Sequence, residues 1–134
     1  MDRKLNVLIV DDIFTNRLLL SEILRELGHN YKEVENGKTA VDALENDQFD
    51  LVLMDIEMPV MNGLETTKYI RTNAPLKLRH IPVVALTAHN PNLFFDDFKD
   101  IGFTQLLTKP YSIQKIKNII SNVFENKQPK DKLA

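Results

Sequence analysis

The sequence predicts an α/β domain, a parallel sheet with helices on both faces. Three observations carry that prediction. Short apolar runs alternate with helically spaced apolar residues along the whole chain. The middle runs are apolar at every position, and five strand–helix units follow one another in strict order. Such alternation requires right-handed crossovers and a sheet covered on both sides.

Leu5-Asn6-Val7-Leu8-Ile9-Val10 is too short for a helix and rich in branched residues, so it reads as a buried first strand. Leu20, Ile23, Leu24 and Leu27 then share one helical face, with Gly28 as a stop. Tyr31 to Glu35 is a more polar strand, suited to a sheet edge. Ala40, Val41 and Leu44 give a short second helix after an Asn36-Gly37 turn. Leu51-Val52-Leu53-Met54 belongs in mid-sheet, because only a strand covered on both faces is apolar throughout. Asn62 can cap a third helix, with Glu65 at capping-box spacing. Ile81 to Leu86 is the fourth strand, where Pro82 is tolerable near the start. Asn90-Pro91 opens a fourth helix whose face runs through Phe94, Phe98 and Ile101. Thr104 to Thr108 is a short fifth strand. Ser112 caps a last helix whose face is Ile113, Ile116, Ile120 and Val123.

At 134 residues the chain is the size of one domain. Residues 1–126 read as that domain and 127–134 as a polar tail. The 43% hydrophobic and 27% charged residues are those of an ordinary globular protein. With no cysteine, neither a disulfide framework nor a thiolate metal site can form. The charged start, Met1-Asp2-Arg3-Lys4, leads into an apolar run too short for a signal peptide or a spanning helix. Net charge is −2 with scattered basic residues, so nucleic acid and membrane are not the expected partners. A cytoplasmic location is expected, and Met1 and the polar tail favour a free-standing domain.

In an open α/β sheet, ligands bind beyond the carboxyl ends of the strands. The first strand ends in Asp11-Asp12, the third in Asp55, the fourth in Thr87 and the fifth in Lys109. Each residue has an ordinary explanation alone. Asp suits turns and caps, Thr is a common strand residue, and a lysine before Pro110 is a typical solvated loop residue. Their conjunction on one rim argues for a site. Close carboxylates repel unless a cation joins them. Oxygen ligands without His or Cys suit a hard cation such as Mg²⁺, and an opposed lysine suits a phosphate. Together they describe phosphoryl transfer, in which an aspartate can also be the nucleophile.

The sequence resembles the receiver domains of bacterial response regulators in two-component signalling. The residues that carry this are Asp11-Asp12, the run Met54-Asp55-Ile56-Glu57-Met58-Pro59-Val60-Met61-Asn62-Gly63, the run Val83-Val84-Ala85-Leu86-Thr87-Ala88, and Lys109-Pro110. The match covers roughly residues 5 to 125, and the segments around Asp55 and Thr87 look most like receivers of hybrid sensor kinases.

The resemblance implies a flavodoxin-like, doubly wound three-layer fold with strand order 2-1-3-4-5 and five helices. It implies that Asp55 is the phosphoacceptor of a phosphorelay, fed by a histidine kinase or histidine phosphotransfer protein. Asp12 and Asp55 would bind Mg²⁺, Glu57 would add its backbone carbonyl, and Asp11 would hold a metal-bound water. Thr87 and Lys109 would contact phosphoryl oxygens, Ala88 would be the small residue beside them, and a cis bond is expected at Lys109-Pro110. The resemblance also implies a phosphorylation-switched protein surface on the fourth helix, fifth strand and fifth helix, compatible with homodimerisation. Phe94, Phe95 and Phe98 could contribute to that surface. Leu106 stands where the family usually has an inward-swinging Tyr or Phe. Glu57 and His89 lie where relatives tune the acyl-phosphate lifetime. On this reading the chain is a phosphoacceptor and not an enzyme.

Three rivals are weaker. An aspartate-nucleophile phosphatase of the haloacid dehalogenase type needs Asp and Thr where Glu57 and Pro59 stand. A flavin carrier needs a phosphate-cradling loop where Asp11-Asp12 would repel it. A purely structural pseudo-receiver would have no need of the five-residue set.

Overall fold

In the computed structural model, the described residues are 3–58, 62–73, 78–88 and 101–124. They contain five strands: β1 (Asn6–Val10), β2 (Asn30–Val34), β3 (Leu51–Asp55), β4 (Val83–Thr87) and β5 (Gln105–Thr108). All neighbours pair in parallel, in the order β2-β1-β3-β4-β5. Four helices accompany them: α1 (Phe14–Glu26), α2 (Gly37–Asn46), α3 (Gly63–Asn73) and a C-terminal helix (Ile113–Phe124). The fourth helix expected from Asn90-Pro91, with Phe94, Phe95, Phe98 and His89, and the polar tail lie outside the described residues. No described helix is long and apolar enough to cross a membrane.

Period-two alternation divides the core into two layers. Val7 and Ile9, Leu51 and Leu53, and Val84 and Leu86 face one side, where Leu20, Leu24, Ile116 and Ile120 cover them. Leu8 and Val10, Val52 and Met54, and Val83 face the other, against Ala40, Leu44 and Ile70. Strands buried on both faces need apolar residues at every position, and β3 has a fully buried side chain at each one. The more polar β2 takes the edge, as expected.

The helix signals act where they were expected. Asn62 Oδ1 accepts from the Glu65 N–H at 2.9 Å, and Glu65 Oε1 accepts from the Asn62 N–H at 3.1 Å. Ser112 Oγ accepts from the Lys115 N–H, and Gly28 ends α1 with φ +88°. Asn36 is a cap, not part of a turn: its side chain accepts from the Thr39 N–H, and Gly37 is already helical. One face differs from expectation. Ile113 is 42% exposed, and the buried stripe is Ile116, Ile119 and Ile120, with Val123 partly covered. The first turn of this helix lies away from the apolar layer that buries the rest of the stripe.

Two contacts set the loops around the sheet end. Arg71 on α3 donates to the carbonyls of Gly102, Arg79 and Ile81 at 2.7–3.0 Å, tying α3 to the segments that lead into β4 and β5. Gly102 has φ +110°, and a Cβ there would meet Arg71 Cγ at 2.8 Å, so only glycine lets the guanidinium approach. Gly63 is the second. A Cβ on it would lie 2.6 Å from Ile56 Cα and 3.0 Å from the Asp55 carbonyl carbon. Both neighbours are backbone and cannot swing away.

Gly63→Ala is therefore expected to destabilise the fold. The helix-propensity gain of about 1 kcal/mol is smaller than the backbone displacement it forces, on the order of 1–3 kcal/mol. A lower urea midpoint than wild type is the expected outcome, and an equal or higher midpoint would contradict the packing argument.

Candidate functional site

The sheet register brings four chain segments to one rim. Val10 pairs with Met54, Asp55 with Leu86, and Thr87 with Thr108. Asp11, Asp55, Thr87 and Lys109 therefore stand at the same ends of β1, β3, β4 and β5. Backbone bonds extend the ladder past the strands: the Asp11 N–H donates to Val34 O, Ile56 N–H to Leu86 O and Lys109 N–H to Thr87 O, at 2.9–3.2 Å. Side chains far apart in sequence are thus held at the hydrogen-bonded ends of the sheet.

Burial then sets their chemistry. Asp11, Asp55 and Thr87 are at most 1% exposed, whereas Asp12 and Glu57 are exposed and Lys109 is half-buried. One carboxylate oxygen from each of Asp11, Asp12 and Asp55 lies within 4.8 Å of the others. Lys109 Nζ approaches Asp55 Oδ1 to 3.6 Å, and the Glu57 N–H donates to the same oxygen at 3.1 Å. Burial pushes the Asp55 carboxyl up to about 6, with the Asp11 and Asp12 charges adding to the rise. The Glu57 N–H and Lys109 oppose this without cancelling it. Burial likewise raises Asp11, against the pull of the Ile13 N–H, which donates to Oδ1 at 2.9 Å, and of Lys109. Asp11 Oδ2 is buried and has no hydrogen-bond partner among the described residues.

This donor set fits a hard divalent cation. Oxygens on opposite sides of an octahedral Mg²⁺ stand about 4 Å apart, close to the span of this cluster. A cation would also satisfy the unpartnered Asp11 oxygen and offset the carboxylate repulsion, which one lysine does not.

Each expected site residue has a defined place. Asp11, Asp12, Asp55 and Lys109 converge, Thr87 closes β4 on the same rim, the Lys109-Pro110 bond is cis, and Ala88 is exposed beside the rim. Glu57 contributes an N–H to Asp55. Leu106 is half-buried on β5, paired with Ala85. Two neighbours carried no sequence signal. Arg17 is nearly buried, donates to the Asp11 carbonyl at 2.9 Å and pairs with Glu33 at 3.4 Å. Tyr111 is buried two residues beyond Lys109, with its hydroxyl unpartnered among the described residues. Only its place after Lys109-Pro110 could have drawn notice.

Comparison with known proteins agrees with this geometry. The family model for the response regulator receiver domain matches residues 7–121. Chemotaxis protein CheY-3 of Vibrio cholerae serotype O1 is 32% identical over 126 residues, covering 93% of this chain and 95% of that protein. Sensor protein GacS of Pseudomonas syringae pv. syringae is 38% identical over 115 residues, 85% of this chain but 13% of the sensor. Among solved structures, the receiver domain of sensor histidine kinase PA1611 from Pseudomonas aeruginosa PAO1, with magnesium coordinated in its active site cleft, superposes with a TM-score of 0.80. That match has 29% identity and covers 90% of this chain and 97% of the other. By sequence over nearly its whole length and by the order of its strands, this chain belongs to the response regulator receiver domain family.

Proposed function

We propose that this domain accepts a phosphoryl group on Asp55, from a histidine kinase or histidine phosphotransfer protein, with Mg²⁺ held at Asp11, Asp12 and Asp55. The observation that carries this is the cluster itself: three carboxylates around one point, two of them buried, with Lys109 3.6 Å from Asp55. Mg²⁺, when bound, supplies positive charge that neutralises phosphoryl oxygens. The protein supplies the rest. Asp55 Oδ1 is held by the Glu57 N–H, so Oδ2 is the oxygen for attack. It bonds to phosphorus as the phosphorus–nitrogen bond of the donor breaks, and the imidazole leaves with the electron pair and takes up a proton. Lys109 then pairs with a phosphoryl oxygen and the Thr87 hydroxyl donates to another. Glu57 O is the backbone ligand on this reading.

The product is an acyl phosphate on the domain's own side chain, so the domain works as a relay and not as a turnover enzyme. It adds about −1.5 to −2 charge at a buried point, and Thr87 transmits the change to the loop after β4 and to partners. Beside the rim, Phe14 is 62% exposed and Ile13 48%, with Leu18 one turn on also exposed. The Arg17 guanidinium lies over the Phe14 ring, 5.7 Å from its centroid. This apolar margin suits the surface of a protein donor.

Incubation with acetyl phosphate and Mg²⁺ is expected to add one phosphoryl group to the intact protein. The adduct disappears in Asp55→Asn and with a chelator. No adduct under any condition, together with no response to beryllofluoride, would sink the phosphoacceptor reading.

The raised carboxyl also has a stability signature. Because Asp55 titrates near 6 in the folded protein and at its ordinary 3.8 when unfolded, the fold disfavours its ionised form. The metal-free protein therefore gains stability as pH falls from 7 through 6 toward 4. Asp55→Asn is expected to raise metal-free stability at pH 7.5, by on the order of 1–3 kcal/mol, and to remove that part of the pH dependence. Urea titrations at several pH values check both.

Phe14→Ala should slow phosphorylation by a protein donor while leaving the acetyl phosphate rate unchanged. Equal loss with both donors would show that the residue acts on the site and not on docking.

A further inference from the structure

Arg17 sits where a positive charge is hard to place. It is the fourth residue of α1, so its cation stands near the helix start, against the helix dipole, and no acidic residue in that first turn offsets it. It is also 9% exposed, and burying a charge costs free energy unless partners replace the lost water. Helix stability alone does not account for this placement. Its partners do. Nη1 donates to the Asp11 carbonyl at 2.9 Å, Nε lies 3.4 Å from Glu33 Oε1, and Nη2 lies 3.9 Å from Glu35 Oε2. One guanidinium thus spans from the residue after β1 to the end of β2.

The segment it grips carries two of the three clustered carboxylates, Asp11 and Asp12. That segment leads into a helix without a side-chain cap, because the N-cap residue is Ile13, which offers no side-chain oxygen. Other bonds must fix the turn. The Asp11 N–H donates to the Val34 carbonyl at 3.2 Å, and Asp11 Oδ1 accepts from the Ile13 N–H at 2.9 Å. Arg17 adds the bond to the Asp11 carbonyl, the group from which Asp12 continues.

We propose that Arg17 is a positioning residue of the metal site: braced on Glu33, it holds the Asp11 carbonyl and so fixes the Asp11-Asp12 turn in the geometry a cation needs. The inference rests on the Mg²⁺ reading of that cluster and adds to it the residue that sets two of the ligands. Partners behind metal ligands are worth roughly 10–100-fold in affinity. Arg17 grips backbone and not a carboxylate, so the smaller end of that range applies.

The sign of the effect separates positioning from plain electrostatics. A guanidinium near a cation site repels the metal, and removing it also leaves Glu33 and Glu35 to attract the ion. On charge alone, Arg17→Met would bind Mg²⁺ more tightly; positioning requires weaker binding. Arg17→Lys keeps the charge but not the planar fork that serves Asp11 and Glu33 together, so it weakens binding as well.

The test is Mg²⁺ titration by calorimetry on wild type, Arg17→Met and Arg17→Lys, at temperatures where metal-free urea midpoints show each to be folded. Amide exchange of the metal-free proteins is measured alongside. About tenfold weaker binding in both variants is expected, with faster exchange of the Ile13 N–H while the β3 amides keep their protection. Unchanged or tighter binding in Arg17→Met, whatever its midpoint, would overturn the proposal and leave Arg17 a residue of the fold alone. Full affinity in Arg17→Lys would overturn it too, because a point charge would then suffice. Absence of Mg²⁺ binding in the wild type would instead remove the metal reading itself.

Discussion

Two carboxylates buried side by side at the ends of adjacent parallel strands are the constraint on which the rest of this structure depends. Asp11 and Asp55 are almost wholly removed from water, and Asp55 has one lysine and one backbone N–H against it. Ionised, the pair is unfavourable in the low-dielectric interior; neutral, it would be a poor nucleophile and a poor ligand. The fold holds the conflict in place because the register of β1, β3 and β4 is set elsewhere, by apolar side chains packed on both faces of the sheet. A one-residue slip would move every side chain of the strand from one packed layer into the other, so the acids cannot escape by shifting a strand.

The surroundings serve the same arrangement. Gly63 starts α3 against the backbone of Asp55 and Ile56, which holds the turn after β3 close to the rim. The Asn62–Glu65 capping box satisfies the first amides of that helix, so its entry angle is defined just where the backbone is tightest. On the other side, Arg71 gathers carbonyls from the approaches to β4 and β5. Arg17 anchors the Asp11 carbonyl and carries its charge outward to Glu33 and, at 3.9 Å, Glu35. Paired strands, two glycine contacts and two arginines hold an electrostatically strained centre, whose carboxylate repulsion a cation would offset.

The strain also gives the site a direction of response. A charge change at a buried point is felt more strongly than one at the surface, because little solvent screens it. Thr87 ends β4 one residue beyond Leu86, the register partner of Asp55, and its carbonyl accepts from the Lys109 N–H. The ends of β4 and β5 are thus joined by the backbone itself.

Much of this was legible in the chain. Strand identity, sheet class and the edge position of β2 follow from apolar runs and their lengths, because burial on two faces leaves no choice of residue type. The Asn62 and Ser112 caps could be read because capping is local chemistry between residues three apart. Asp11, Asp55, Thr87 and Lys109 were visible because each closes a strand, and parallel strands share their ends. What the sequence could not decide depends on contacts between distant segments. Ile113 matches the helical spacing yet faces solvent. Asn36 looks like a turn until its helix is seen. Arg17, Arg71 and Tyr111 carry no motif, and Arg71 reaches a carbonyl 31 positions away. Local pattern determines which elements form and where the acids fall. Only tertiary packing decides which of those acids lose their water, and so which groups are held out of their ordinary chemistry.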